Sequence, residues 1–150
     1  MFVTRKVEFS ASHFCRVGGL SDSENFELFG AESNPNGHGH NYVLEVTIEG
    51  DPHPITGMVI DLKRVKEILE QEIVEPMDHR FLNFEVPPFN ELIPTTANVA
   101  QEIWRRLDRC FQSPDYELFR VRLFETSDLY VDVVRDDILN EPSVGEELAA

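Results

Sequence analysis

The chain lacks most of the devices that would let it avoid building an ordinary core. Its 150 residues include two cysteines, Cys15 and Cys110, with no CxxC pair and no framework spacing. A disulfide scaffold is therefore excluded, and reduced thiols in a cytoplasmic protein are the expectation. No apolar run approaches 18 residues, so nothing reads as a membrane span. The opening MFVTRKVEF reads as an edge strand without the apolar centre of a secretory leader. Bases are scarce: 13 Lys and Arg stand against 28 Asp and Glu, a net charge of −15. Such a surface repels phosphate backbones and anionic headgroups, which argues against nucleic-acid and membrane partners. Five of the acids (Asp136, Asp137, Glu141, Glu146 and Glu147) fall in residues 136–150 with no base among them, so that stretch reads as a loosely ordered acidic tail.

With 41% hydrophobic residues, the remainder can bury one core, and residues 1–135 read as a single domain. Residues 2–13 and 38–49 alternate apolar with polar and predict strands, separated by a long loop up to Gly37. Met58-Val59-Ile60 reads as a possible continuation of the sheet. Asp61 is placed to cap a helix with a Leu62, Val65, Leu69, Ile73 stripe, ended by Pro76. A second helix begins near Thr95 or Thr96, with Val99, Ile103, Leu107 and Phe111 on one face and Cys110 in its apolar side. Residues 117–126 and 129–135 predict a closing pair of strands. The order is that of an α+β domain, a four-stranded antiparallel sheet with two helices on one face.

Against this frame three histidines stand out. His38 and His40, in NPNGHGHNY, share one face of a strand about 6.6 Å apart. His13, ending FVTRKVEFSASH, can bring a third imidazole from a neighbouring strand. Three neutral nitrogens suit Zn²⁺, and three protein ligands leave a coordination position open for chemistry.

The segments EFSASH (8–13), NPNGHGHNY (34–42), MDH (77–79), PTTANV (94–99) and FET (124–126) follow one another in this order. Together they resemble the 6-pyruvoyl-tetrahydropterin synthase family across residues 2–135. The insert containing LSDSENFELFG is similar to that of the animal-type synthases. The resemblance implies a tunnelling fold whose barrel is closed by association into trimers or hexamers. An isolated sheet with open edges gives such closure a physical reason. It also implies zinc on His13, His38 and His40, a catalytic Asp78–His79 pair, a pterin-anchoring Glu125, and Thr95 and Thr96 seating the ring. Because neighbouring side chains bond each other with difficulty, Asp78 and His79 are expected to act across a subunit interface. Arg5, Lys6, Arg16, Lys63, Arg64 and Lys66 are the bases available for a triphosphate. Ala97 stands where the family usually carries Glu, and His53, between prolines, reads as solvated.

One departure concerns the base. The synthases place a cysteine six residues before the first histidine of HGH; here that residue is Glu32. Cys15 lies across the loop in sequence and reads as too distant to replace it. A carboxylate is a weaker base than a thiolate by several pKa units. It is better matched to a metal-acidified hydroxyl than to a carbon-bound proton. The expectation is therefore a zinc-dependent lyase that cleaves the side chain of 7,8-dihydroneopterin triphosphate to 6-hydroxymethyl-7,8-dihydropterin, a folate precursor. The alternatives are 6-pyruvoyl- or 6-carboxy-tetrahydropterin synthesis, or zinc and pterin binding without turnover.

Overall fold

The computed structural model describes residues 1–139. β1 (Phe2–His13) and β2 (His38–Gly50) pair antiparallel along their length, with Phe2 opposite Glu49 and His13 opposite His38. A two-residue strand, β3 (Arg80–Phe81), runs parallel to β1 at its outer edge. β4 (Tyr116–Thr126) pairs with β2, and β5 (Leu129–Val134) with β4. The sheet order is β3-β1-β2-β4-β5, five strands where the sequence suggested four. The extra strand follows from two bonds at β1: the Ser10 N–H donates to Asp78 Oδ1 at 2.8 Å, and the His79 N–H donates to the Ser10 carbonyl at 2.6 Å. They clamp the chain against the edge, so Arg80 and Phe81 meet Ala11 and Ser12.

The helices α2 (Leu62–Leu69) and α5 (Thr96–Asp108) cover one face, as the periodicity requires. Asp61 caps α2 by accepting from the Lys63 N–H at 2.9 Å. Its buried stripe is Val65, Ile68 and Leu69, while Leu62 is exposed. The helix widens through a π turn at Glu70–Val74, where the Glu75 N–H reaches the Glu70 carbonyl, and continues as α3 (Glu75–Met77). Pro76 therefore does not end it; proline is tolerated at the start of a helical segment, where its missing N–H costs nothing.

Two connections differ from the sequence reading. The stretch after β1 contains α1 (Asp22–Phe29), begun by a reciprocal capping box between Ser21 and Glu24, then a 3₁₀ turn at Gly30–Ser33. Met58-Val59-Ile60 does not join the sheet; Val59 and Ile60 are buried without pairing. A short α4 (Leu82–Glu85) follows β3. Cys110 lies beyond the end of α5, half-buried. Arg135 begins α6 (Arg135–Leu139), so the first four residues of the acidic stretch continue the fold; 140–150 lie outside the described residues.

Phe9, Ala11, Tyr42, Leu44, Val46, Val121 and Leu123 point from the sheet into the helices, meeting Leu69, Ile73, Val99, Ile103 and Leu107. Leu44 is fully buried at the middle of this layer. Leu44→Ala should cost about 2–5 kcal/mol. Denaturant unfolding at unchanged m-value would measure it, and a loss under about 1 kcal/mol would contradict the packing described.

Candidate metal centre

The β1–β2 register builds the site. Ala11 faces His40 and His13 faces His38 across the ladder, so all three imidazoles lie on the helix-covered face. Gly37, just before β2, has φ +74°, and a Cβ there would stand 2.6 Å from the Phe81 ring. Only glycine lets the chain enter β2 there.

His13 is completely buried, and its Nδ1 donates to the Pro94 carbonyl at 2.7 Å, at the approach to α5. That bond assigns the lone pair to Nε2, which stands 3.1 Å from His38 Nε2. Two nitrogens on one tetrahedral zinc, each about 2.0–2.1 Å from it, lie roughly 3.3 Å apart. Burial lowers the His13 pKa, opposed by the Pro94 bond and reinforced by His38, so the ring is a neutral ligand at pH 7. His40 Nε2 is buried without a hydrogen-bond partner among the described residues, 3.6 Å from Glu125 Oε1. The ligand atoms of the three histidines lie within 4.8 Å of one another. An orphaned imidazole nitrogen beside two more converging ring nitrogens is an arrangement that a bound cation would satisfy. The donor set fits zinc.

Carboxylates complete the cluster. A Glu32 oxygen and a Glu125 oxygen lie within 4.8 Å of each other and of a His13 nitrogen. Glu125, on β4, is buried, and the Thr96 hydroxyl donates to its Oε2. Thr95 caps α5 instead, accepting from the Asn98 N–H at 3.2 Å. Ala97 is exposed on the first turn.

Cys15 corrects the reading made from chain distance. Its Sγ is 3.6 Å from Glu32 Oε2, and its N–H donates to the Glu32 carbonyl at 2.9 Å. Burial, then the Glu32 carboxylate, pushes the thiol up to about 12. The sequence held a signal: Cys15 continues the alternation of Phe9, Ala11 and His13. Tyr42 is the other missed neighbour, fully buried, its hydroxyl unpartnered among the described residues. Burial first, then Glu125, Cys15 and Glu32, raises its pKa.

Asp78 and His79 do bond each other, contrary to expectation: His79 Nδ1 stands 2.8 Å from Asp78 Oδ2. His79 adopts φ 59°, the only positive φ outside glycine among the described residues, and this backbone makes the contact possible. The Ser10 N–H, then His79, holds the Asp78 carboxyl below its usual range. The pair does not meet the histidine cluster in this chain. His79 borders a cleft of about 470 Å³ that is lined mainly from the other face of the sheet, by Ser10, Ser12, Gly39 and Asn41, and that His40 also lines.

The profile of the 6-pyruvoyl tetrahydropterin synthase family matches residues 2–136. The chain belongs to this family. It is 47% identical over 124 residues to the 6-pyruvoyl tetrahydrobiopterin synthase of Pongo abelii, covering 83% of this chain and 84% of that one. The structure of Caenorhabditis elegans 6-pyruvoyl tetrahydropterin synthase superposes with TM-score 0.83 at 35% identity, over 89% and 94% of the two chains. The fold is also that of Plasmodium vivax 6-pyruvoyltetrahydropterin synthase, with TM-score 0.58 at 17% identity over 90% and 98%. That protein was solved with a catalytic glutamate replaced by alanine. The family supports the α+β tunnelling fold and a pterin substrate.

The remaining sequence candidates are dispersed. Lys6 pairs with Glu45, Arg16 with Asp22 and Arg64 with Glu67. Arg5, Lys63 and Lys66 lie apart on β1 and α2. His53 Nδ1 accepts from the Ile55 N–H in an exposed turn. Among the described residues no helix is long and apolar enough to cross a membrane.

Burial and the Glu32 carboxylate keep Cys15 in its unreactive thiol form at pH 8. In a Cys110→Ala background, an aromatic disulfide reagent at pH 8 should leave the native protein unlabelled and react fully once denaturant is added. Rapid labelling of the native protein would contradict this environment.

Proposed function

We propose that the protein is a zinc-dependent lyase that cleaves the side chain of 7,8-dihydroneopterin triphosphate to 6-hydroxymethyl-7,8-dihydropterin. The observation that carries this reading is the Glu32 carboxylate at the histidine cluster, where the family's synthases place a thiol. A catalytic glutamate in the Plasmodium vivax relative supports a carboxylate in such a role. The likeness to the Pongo abelii enzyme favours a second reading, formation of 6-pyruvoyl-tetrahydropterin with Glu32 working as the base.

His13, His38 and His40 would hold the zinc, which supplies Lewis acidity toward the vicinal side-chain oxygens. Glu125 accepts the paired pterin donors, with Thr96 fixing one of its oxygens and Thr95 the helix turn beside it. Glu32 takes the proton of the C2′ hydroxyl. The C1′–C2′ bond then breaks: C2′ leaves as an aldehyde, and the electron pair on C1′ delocalises into the ring. A proton returned to C1′ completes the hydroxymethyl group. Asp78 and His79 suit that return if a second copy presents its cleft face to this site. The interface role read from the sequence then keeps its place, as does association into trimers or hexamers.

Product identification by mass spectrometry decides between the readings. Hydroxymethyl-dihydropterin is expected; a product retaining three side-chain carbons would establish the synthase reading, and binding without product would remove both. Glu32→Ala should lower turnover by about 10²–10⁴ while zinc stays stoichiometric. His38→Ala should lose the metal, and full zinc retention would reject it as a ligand.

A further inference from the structure

Glu32 needs something to hold it. It lies in a four-residue 3₁₀ turn at the end of a 24-residue connection, not on a strand or long helix. A side chain on such a support is a poor base unless its rotamer is fixed by neighbours. Glu125 has Thr96, and His13 has the Pro94 carbonyl.

We propose that Cys15 is the positioning residue for Glu32, and that its thiol, not a proton transfer of its own, is what this chain adds where the usual cysteine is missing. This rests on the reading of Glu32 as the base. Two contacts carry it. The Cys15 N–H binds the Glu32 carbonyl at 2.9 Å, locking the 3₁₀ turn to the extension of β1. The thiol donates to Oε2 at 3.6 Å, fixing the direction of the carboxylate. Sγ is also 4.0 Å from the Pro94 carbonyl that orients His13, so the thiol sits between the base and a ligand support. The Arg16 guanidinium donates to the Ser33 carbonyl at 2.6 Å and steadies the same turn from its other side.

The residue type is matched to the place. Cys15 is 1% exposed and packs as a small apolar side chain. It still offers a donor, which alanine or valine would not, to a half-buried carboxylate oxygen that water only partly reaches. The Tyr42 hydroxyl, fully buried and unpartnered among the described residues, borders the same group of Glu125, Cys15 and Glu32.

The test uses zinc-loaded full-length protein with dihydroneopterin triphosphate, comparing Cys15→Ala, Cys15→Val and Cys15→Ser, each also in a Glu32→Ala background. Cys15→Val retains volume without a donor; Cys15→Ser retains a donor. Alanine and valine should each lower kcat about tenfold, with KM changed less than twofold and zinc unchanged. Serine should recover most of the loss. In the Glu32→Ala background all three should have no further effect. Wild-type kcat in the alanine and valine variants would overturn the proposal, as would equal losses in all three or additive losses without Glu32. If Glu32→Ala alone is as active as wild type, the base assignment fails and the positioning role falls with it. A slow Glu32→Ala with unaffected Cys15 variants sinks the positioning role alone.

Discussion

The pairing register of β1 with β2 is the constraint on which the rest depends. Side chains on a strand alternate, so a slip of one residue would carry His38 and His40 to the opposite face from His13. Several contacts hold the register along the ladder: Phe9 stacks on Tyr42 at 5.1 Å, and the Thr4 and Thr47 hydroxyls meet at 2.9 Å. Phe9 and Tyr42 belong to the same buried layer as Leu44 and Val46, so core packing and ligand geometry are one requirement. The histidines sit where that layer meets its open end. Stability of the fold therefore positions the site directly.

The helix layer supplies a second reference frame. The segment entering α5 presents the Pro94 carbonyl to His13 and the Thr96 hydroxyl to Glu125. These contacts join β1, β4 and the α5 start around one small volume. Thr95 has a different duty, satisfying an N–H that the first turn of α5 would leave open. Two adjacent threonines thus divide between holding a helix and orienting a carboxylate. The division follows from extended backbone at Thr95 and helical backbone at Thr96.

Strands and helices with one buried face were legible in the sequence because burial on one side imposes a period. That is why β1, β2, β4, β5, α2 and α5 were anticipated, and why His13, His38 and His40 could be placed together. Parts held by backbone bonds were not legible. β3 exists because Ser10 bonds Asp78 and His79, and no periodicity marks a two-residue strand. The Asp78–His79 contact depends on one left-handed residue, which sequence alone gives no reason to assign to histidine. Cys15 was misplaced because separation along the chain was taken for separation in space, although its alternation with Phe9, Ala11 and His13 pointed inward. The S-x-x-E of Ser21 and Glu24 was a readable helix start within a stretch taken as loop.

Charge gives the site its chemical direction. Two carboxylates, Glu32 and Glu125, have oxygens within 4.8 Å of each other and of a His13 nitrogen, and burial keeps the His13 ring neutral. At an effective dielectric of about 20, like charges at that distance repel by roughly 3–4 kcal/mol. A divalent cation on the three histidines would make the group neutral and relieve that repulsion. The carboxylate of Glu32 is therefore more than a base. It adds one negative charge that strengthens cation retention and raises the need for a donor at its oxygens. On the cleavage reading proposed above, that donor is the substrate's side-chain hydroxyl, whose oxygen-bound proton suits a carboxylate base.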